Sequence, residues 1–506
     1  MKRSLKTAAL AAAAAFLIPV LFSCSAVGEP AIPADTGEPG TSAPAETEAP
    51  SRQIDADLAS LDYSGKTVTI LSRPNGHRRA GTEIWVEELT NDPVNDAIYN
   101  RNAYVTDLLG LGGIVQAAED ETDVQRKVEQ MVNSGDQTYD IVAASVYYGT
   151  PMIQEGLMYD LYGNGIDEYL HPDNEWWAQY WIEEAELMGR LYCITGAPAL
   201  SVTRLMFVMY YNKDLGESLK LENMYDVVNE GRWTIDYLND LIAPLYRSLN
   251  GDDVRDEADL YGLAINHSEN CDMFWSAFDM SMITKDEEGW LEFDGSQGEK
   301  ISSAFEKVFY LIRENPGTFD TIDQSDGHEG FEQSKRMFAN GNTLFTALHL
   351  MYAETREFRN MQDDYGILPV PKYDGKQKEY YTFSHDQYTV FMVPITVADP
   401  VMSGAVMEAL AYESYFSVQP VYYDLVLRGR YANDPESRAM LDMITSNIRV
   451  DPSWIYGMQI SQPEVKVFRD LIYSGSRTFG SAWERQSAAV PVILGNQRRI
   501  FDMLTQ

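Results

Sequence analysis

Basic residues are scarce in this chain: 39 lysines and arginines stand against 77 aspartates and glutamates, a formal net charge of −38 over 506 residues. A field of that sign repels phosphate backbones and anionic headgroups, which argues against nucleic acid as a partner. Cysteine is rarer still, with three in the whole chain, too few for a disulfide scaffold. Past the first two dozen residues there is no further long apolar segment, and no internal repeat or heptad run appears anywhere. The composition is nevertheless 45% hydrophobic and 12% aromatic, that of a folding chain whose length predicts two or three domains.

The usual catalytic motifs are missing as well. Gly65-Lys66-Thr67 ends like a phosphate-binding loop, but Ser60 stands where the first glycine belongs. Leu109-Gly110-Leu111-Gly112-Gly113 lacks the third glycine of a dinucleotide fingerprint, because Val115 takes that place. His328-Glu329 is followed by Glu332 where a zinc-binding helix needs its second histidine. The acidic stretch 320–332 suggests calcium, yet a register with Gly327 at the sixth position puts Ile322 first and Gln333 last. A solvated acidic turn is the better reading, and no metal or cofactor is expected. No Gly-x-Ser-x-Gly elbow occurs. Acidic residues are so frequent that a pair of glycosidase carboxylates stays open.

What is present begins with an address. Lys2, Arg3 and Lys6 form a cationic start, residues 7–20 an Ala-rich apolar stretch too short to cross a bilayer comfortably, and Leu21-Phe22-Ser23-Cys24 ends it. This resembles a lipobox, with residues 1–23 removed and Cys24 lipidated; an ordinary secretory signal with an incidental cysteine is the alternative. Residues 25–51 are rich in Pro, Ala, Glu, Thr and Gly without an aromatic. They bury too little apolar surface to fold, so 24–58 is read as a tether. The expected location is the outer face of a membrane. Cys193 and Cys271 remain, either paired or as two separate buried thiols.

The folded part opens with a strand pattern over 67–72. Asp92-Pro93 then reads as a helix cap with proline at the first position, and Gly110 as a stop. A helix from Thr122 places Val124, Val128, Met131 and Val132 on one face. A second strand covers 139–144, and Thr150-Pro151 starts another helix. Strands alternating with helices predict right-handed crossovers and a doubly wound sheet. Ligands bind at the carboxyl ends of such strands, which makes Arg73, Asn75, Tyr147 and Tyr148 site candidates by topology alone. Farther on, a helix is expected over 331–338 and a strand over 342–348 that delivers His349 and Tyr352 to a loop. A strand over 389–393 and a helix over 402–415 follow.

Several ordered pieces resemble the extracellular solute-binding lipoproteins of ABC importers, the broad family that includes maltose-binding protein. They are the lipobox, the strands at 67–72 and 139–142, and Gly156-Leu157-Met158-Tyr159-Asp160-Leu161. Then come Leu191-Tyr192, Tyr210-Tyr211-Asn212-Lys213-Asp214-Leu215, the Trp233-Thr234 helix start, and the helix and strand over 331–348. The Tyr-Asn-Lys-Asp-Leu piece followed by the Trp-Thr start is the most specific. Where compact sugar binders have a Gly-Pro-Trp-like loop, this chain has Leu348-His349-Leu350, a departure that bears on sugar specificity rather than fold.

The resemblance implies an α/β, two-lobe periplasmic-binding-protein-like fold (type II) with doubly wound sheets joined by hinge strands. It puts the crossings near 207–212 and 383–393. Lobe 1 would then hold 59–208 plus about 385–428, and lobe 2 would hold 209–384 plus about 429–506. It further implies a monomeric, non-enzymatic receptor that closes on a small solute, most readily a sugar or oligosaccharide, and hands it to ABC permease subunits. A lipid-anchored glycan hydrolase, a binder of a non-sugar solute and a signalling lipoprotein are the alternatives. A sugar site needs aromatic platforms and hydrogen-bonders. Trp275 is the first platform candidate against a core-packing role, and Trp454 a weaker one. Arg73 and Arg204 are candidates against ordinary salt bridges, and His349 and Tyr352 against buried packing. His385-Asp386 adjoins the expected hinge in a structural role.

Overall fold

A computed structural model describes residues 54–252, 254–321, 328–428 and 434–504. The leader, Cys24, most of the tether and the center of the acidic stretch lie outside these residues.

Eleven strands occur among the described residues. Three precede the middle of the chain: β1 (Thr67–Ser72), β2 (Gly113–Ala118) and β3 (Ile141–Ser145). Then come β4 (Phe207–Asn212), β5 (Tyr261–Asn266), β6 (Ile283–Lys285), β7 (Leu291–Phe293) and β8 (Thr318–Thr321). The last are β9 (Thr343–His349), β10 (Tyr365–Leu368) and β11 (Thr389–Met392).

The first sheet has the order β11-β3-β1-β2. β2, β1 and β3 run parallel, with Ile70 level with Gln116 on one side and Ile141 on the other. Their connections are the helices Pro93–Leu108 and Glu121–Ser134. The Asp92 carboxylate accepts from the Val94 and Asn95 amides with Pro93 at the first position, the cap the sequence predicts. On the second helix Val124, Val128 and Met131 are buried, the stripe that holds it to the sheet. β11 pairs antiparallel with β3, Thr389 opposite Ser145.

The second sheet has the order β10-β4-β9-β5-β8, with β5 parallel to β8 and β9, and β4 antiparallel to both β9 and β10. β6 and β7 form a separate two-stranded ribbon. All seven residues of β9 and all six of β4 and β5 are buried, the mark of central strands covered on both faces.

The chain passes between the sheets just before β4 and well before β11. Residues 205–207 run beside 383–385: the Phe207 amide donates to the Phe383 carbonyl (2.9 Å) and the His385 amide to that of Leu205 (3.1 Å). A third extended piece joins them, with the Thr382 amide donating to the Asn447 carbonyl (2.8 Å). The expected crossing at 207–212 is therefore a strand of the second sheet, and the passage lies two residues earlier. Helices Pro400–Glu413 and Gln419–Arg428 pack on the first lobe, and Pro435–Ser446 on β10 of the second. The C-terminal helices touch both: Pro452–Ile455 lies against Val146–Gly149, and Arg469–Tyr473 against the turn Glu269–Asp272. Cys193 and Cys271 are separate buried thiols. No described helix is long and apolar enough to cross a membrane.

Candidate functional site

Because β1 and β3 are parallel, their carboxyl ends open on the same edge, and the carboxyl ends of β5 and β9 face it from the second lobe. Between them lies a set of buried and half-buried charged and aromatic groups drawn from five separate stretches of chain. The loop after β1 supplies Arg79. The short helix Val146–Gly149 after β3, where a loop is expected, supplies Tyr147 and Tyr148; Ser145 caps it. The turn after β5 supplies Glu269 and Asp272, the crossing supplies His385 and Asp386, and Arg469 begins a C-terminal helix.

Arg79 joins the lobes. Its Nη2 lies 3.0 Å from Glu269 Oε1, and its Nη1 donates to His385 Nδ1 at 3.0 Å. Guanidinium nitrogens only donate, so the imidazole accepts; its Nε2 is 3.4 Å from the same Nη1 and 3.7 Å from Glu269 Oε2. Burial first, and Arg79 second, hold this imidazole well below its ordinary range and keep it neutral. Arg469 pairs with Asp272, whose side chain is 3% exposed. Asp386 is pushed up to about 6 by burial, against the pull of Arg469 and Arg79. Its backbone carbonyl accepts from the Tyr147 amide at 3.1 Å.

Aromatic rings close the set. Tyr147 and Tyr148 meet edge to face at 4.9 Å. His349, at the end of β9, lies 4.3 Å from the Phe207 ring, 5.4 Å from His385 and 6.4 Å from Tyr352. Burial also keeps His349 neutral. Phe383 carries Trp454 at 4.9 Å, and Trp275 follows Asp272 with its ring against Phe468, the neighbor of Arg469. Several buried polar atoms here have no hydrogen-bond partner: His349 Nε2, Gln387 Oε1, Trp275 Nε1 and Trp454 Nε1. Buried orphans are costly and call for an explanation.

The structure thus brings Tyr147, Tyr148 and His349 together, with Tyr352, Trp275 and Trp454 around them. It places the other three candidates elsewhere. Arg73 is buried and donates to the Gln387 carbonyl and to Thr389 Oγ1, both at 2.7 Å, with Glu83 and Glu121 at 3.6 and 3.5 Å; it fixes the approach to β11. Asn75 is exposed and donates to the Trp85 carbonyl. Arg204 donates to the Ala80 and Thr82 carbonyls at 3.0 and 2.8 Å and reaches Glu354 at 3.3 Å, so it holds the Arg79 loop from behind. Sequence reasoning did not single out Arg79, Glu269, Asp272 or Arg469. Glu269 could have been found, since it follows a strand end by the same rule that picked Tyr147; Arg469 carries no local signal. Among the described residues no group of three or more His, Cys, Asp or Glu side chains gathers to hold a metal ion.

Two α/β lobes joined by paired crossing segments make up this architecture. Particular solved structures share it. The GacH receptor of Streptomyces glaucescens, described unliganded and with acarbose, superposes with a TM-score of 0.54 at 12% identity, covering 85% of this chain and 99% of its own. The maltose/maltodextrin-binding domain MalE of Bdellovibrio bacteriovorus, bound to maltotriose, gives 0.53 at 13%, covering 86% and 100%. UspC of M. tuberculosis gives 0.52 at 15%, covering 84% and 100%. No family model matches the sequence. No curated protein matches it either.

Proposed function

We propose that this chain captures a sugar or oligosaccharide between its lobes and releases it unchanged to the permease of an ABC importer, as a lipid-anchored monomer on the outer face of the membrane. One observation carries the reading: side chains from both lobes converge on a single buried site whose aromatic and charged groups include unsatisfied donors and an unsatisfied acceptor. Flat C–H faces suit Tyr147, Tyr148 and the tryptophans, and hydroxyls suit the carboxylates and guanidinium groups. That GacH and MalE are described with acarbose and maltotriose supports the ligand class. Lobe closure supplies the mechanism, since contacts made with both lobes at once shift an open–closed equilibrium. The leader ending in Cys24 supports the anchor.

Thermal denaturation against a saccharide panel tests the reading. A ligand raises the melting midpoint with concentration by mass action, and Glu269→Gln or Tyr147→Ala removes the shift. A shift with peptides alone would assign another solute class, and a shortened sugar recovered after incubation would overturn capture in favor of hydrolysis. Cys24→Ala should leave the leader unprocessed and the protein free of lipid.

A further inference from the structure

On the opposite side of the crossing lies a cavity of about 690 Å³, within the ordinary range for a small-molecule site. Side chains alternate along an extended segment. Phe207 turns toward His349 and His385, so Met206 points the other way and lines the cavity. The crossing is thus a wall with the inter-lobe site on one face and this space on the other. Rings surround it: Trp176, Tyr180, Tyr415 and Tyr423, all half-buried. Three of them are fixed at their polar ends, leaving ring surface toward the space. Trp176 Nε1 donates to Glu408 at 3.0 Å, the Tyr415 hydroxyl to Glu175 at 3.2 Å, and the Tyr423 hydroxyl to Asp442.

A second, independent feature marks the place. The helix Pro400–Glu413 continues into a π-helical turn, Ser414–Val418, before Gln419–Arg428 begins. Such turns are rare and concentrate at functional sites. This one sets Tyr415 and Gln419 on the cavity. The hydroxyl side chains of Thr203 and Thr445 line it as well.

We propose that this cavity is a second binding site, distinct from the inter-lobe one, for a ring-shaped polyol of the saccharide class. The rings stack on the C–H faces of such a ligand, and the threonine hydroxyls take its rim. The inference stands apart from the inter-lobe reading, because it shares no side chain with it.

The experiment is calorimetric titration with glucose, maltose and maltotriose on a chain whose inter-lobe site is disabled by Tyr147→Ala and Glu269→Gln. At least one of these sugars still binds. Adding Thr445→Trp, which fills the cavity from a half-exposed helical position, weakens that binding about tenfold or more. Tyr423→Ala does the same should the tryptophan variant fail to fold. No binding of any of the three sugars to the disabled chain, or binding unmoved by the rear substitution, overturns the proposal.

Discussion

The two faces of the crossing differ in kind. On one, ion pairs are drawn out of water: Arg79 meets Glu269 across the lobes, and Arg469 pairs with the buried Asp272. On the other, aromatic rings surround open volume, and three of them have their polar ends tied to carboxylates. Desolvated charges are rigid in their demands: each needs its partner, and losing one costs far more than the pair contributes. Rings tolerate exchange. The first face is therefore specific and sensitive to pH, and the second is permissive.

Mutations sharpen that contrast, the largest effect coming from the charged face. Arg469→Ala leaves Asp272 buried without its partner and should cost about 3–5 kcal/mol. Urea denaturation would show this as a lower midpoint at unchanged slope. Pairing Arg469→Met with Asp272→Leu should recover most of the loss.

Next in size is a pH effect. The Asp386 carboxyl titrates near 6 in the fold but near an ordinary value of about 4 once unfolded. The folded state therefore binds the extra proton between these values. The contribution of this carboxyl to stability is fullest below about pH 4 and is lost as pH rises to about 6, by about 2–3 kcal/mol. Asp386→Asn should flatten that slope in denaturation curves taken across the window.

The smallest effect belongs to the ring face. Trp176→Phe deletes one donor to Glu408, which keeps the Trp177 and Asn174 side chains and the His171 amide, so about 1 kcal/mol is expected. A rear substitution as costly as Arg469→Ala would erase the distinction between the two faces.

Much of the architecture was legible. The strand at 67–72 coincides with β1, Asp92-Pro93 caps its helix, and the strand over 342–348 is β9 within a residue. These are local signals, set by periodicity and capping chemistry. The site was half legible. Tyr147, Tyr148 and His349 follow strand ends, where topology puts ligands. Arg79, Asp272 and Arg469 were not found, because a charge in so acidic a chain looks solvated until a partner distant in sequence buries it. Arg73 and Arg204 stand where candidates should, yet backbone carbonyls and carboxylates of the protein take up their donors. Nothing in a one-dimensional pattern tells a ligand's hydrogen bonds from the chain's own.

β11 reaches the first sheet only after the entire second sheet has been laid down in sequence. A growing chain must therefore carry β3 with one edge bare while β4 to β10 emerge, and pairing at such separation is slow. An edge left open that long is an aggregation hazard. Truncation before residue 389 should accordingly leave no correctly closed first lobe, and the protein's assembly is timed by its last strand rather than its first.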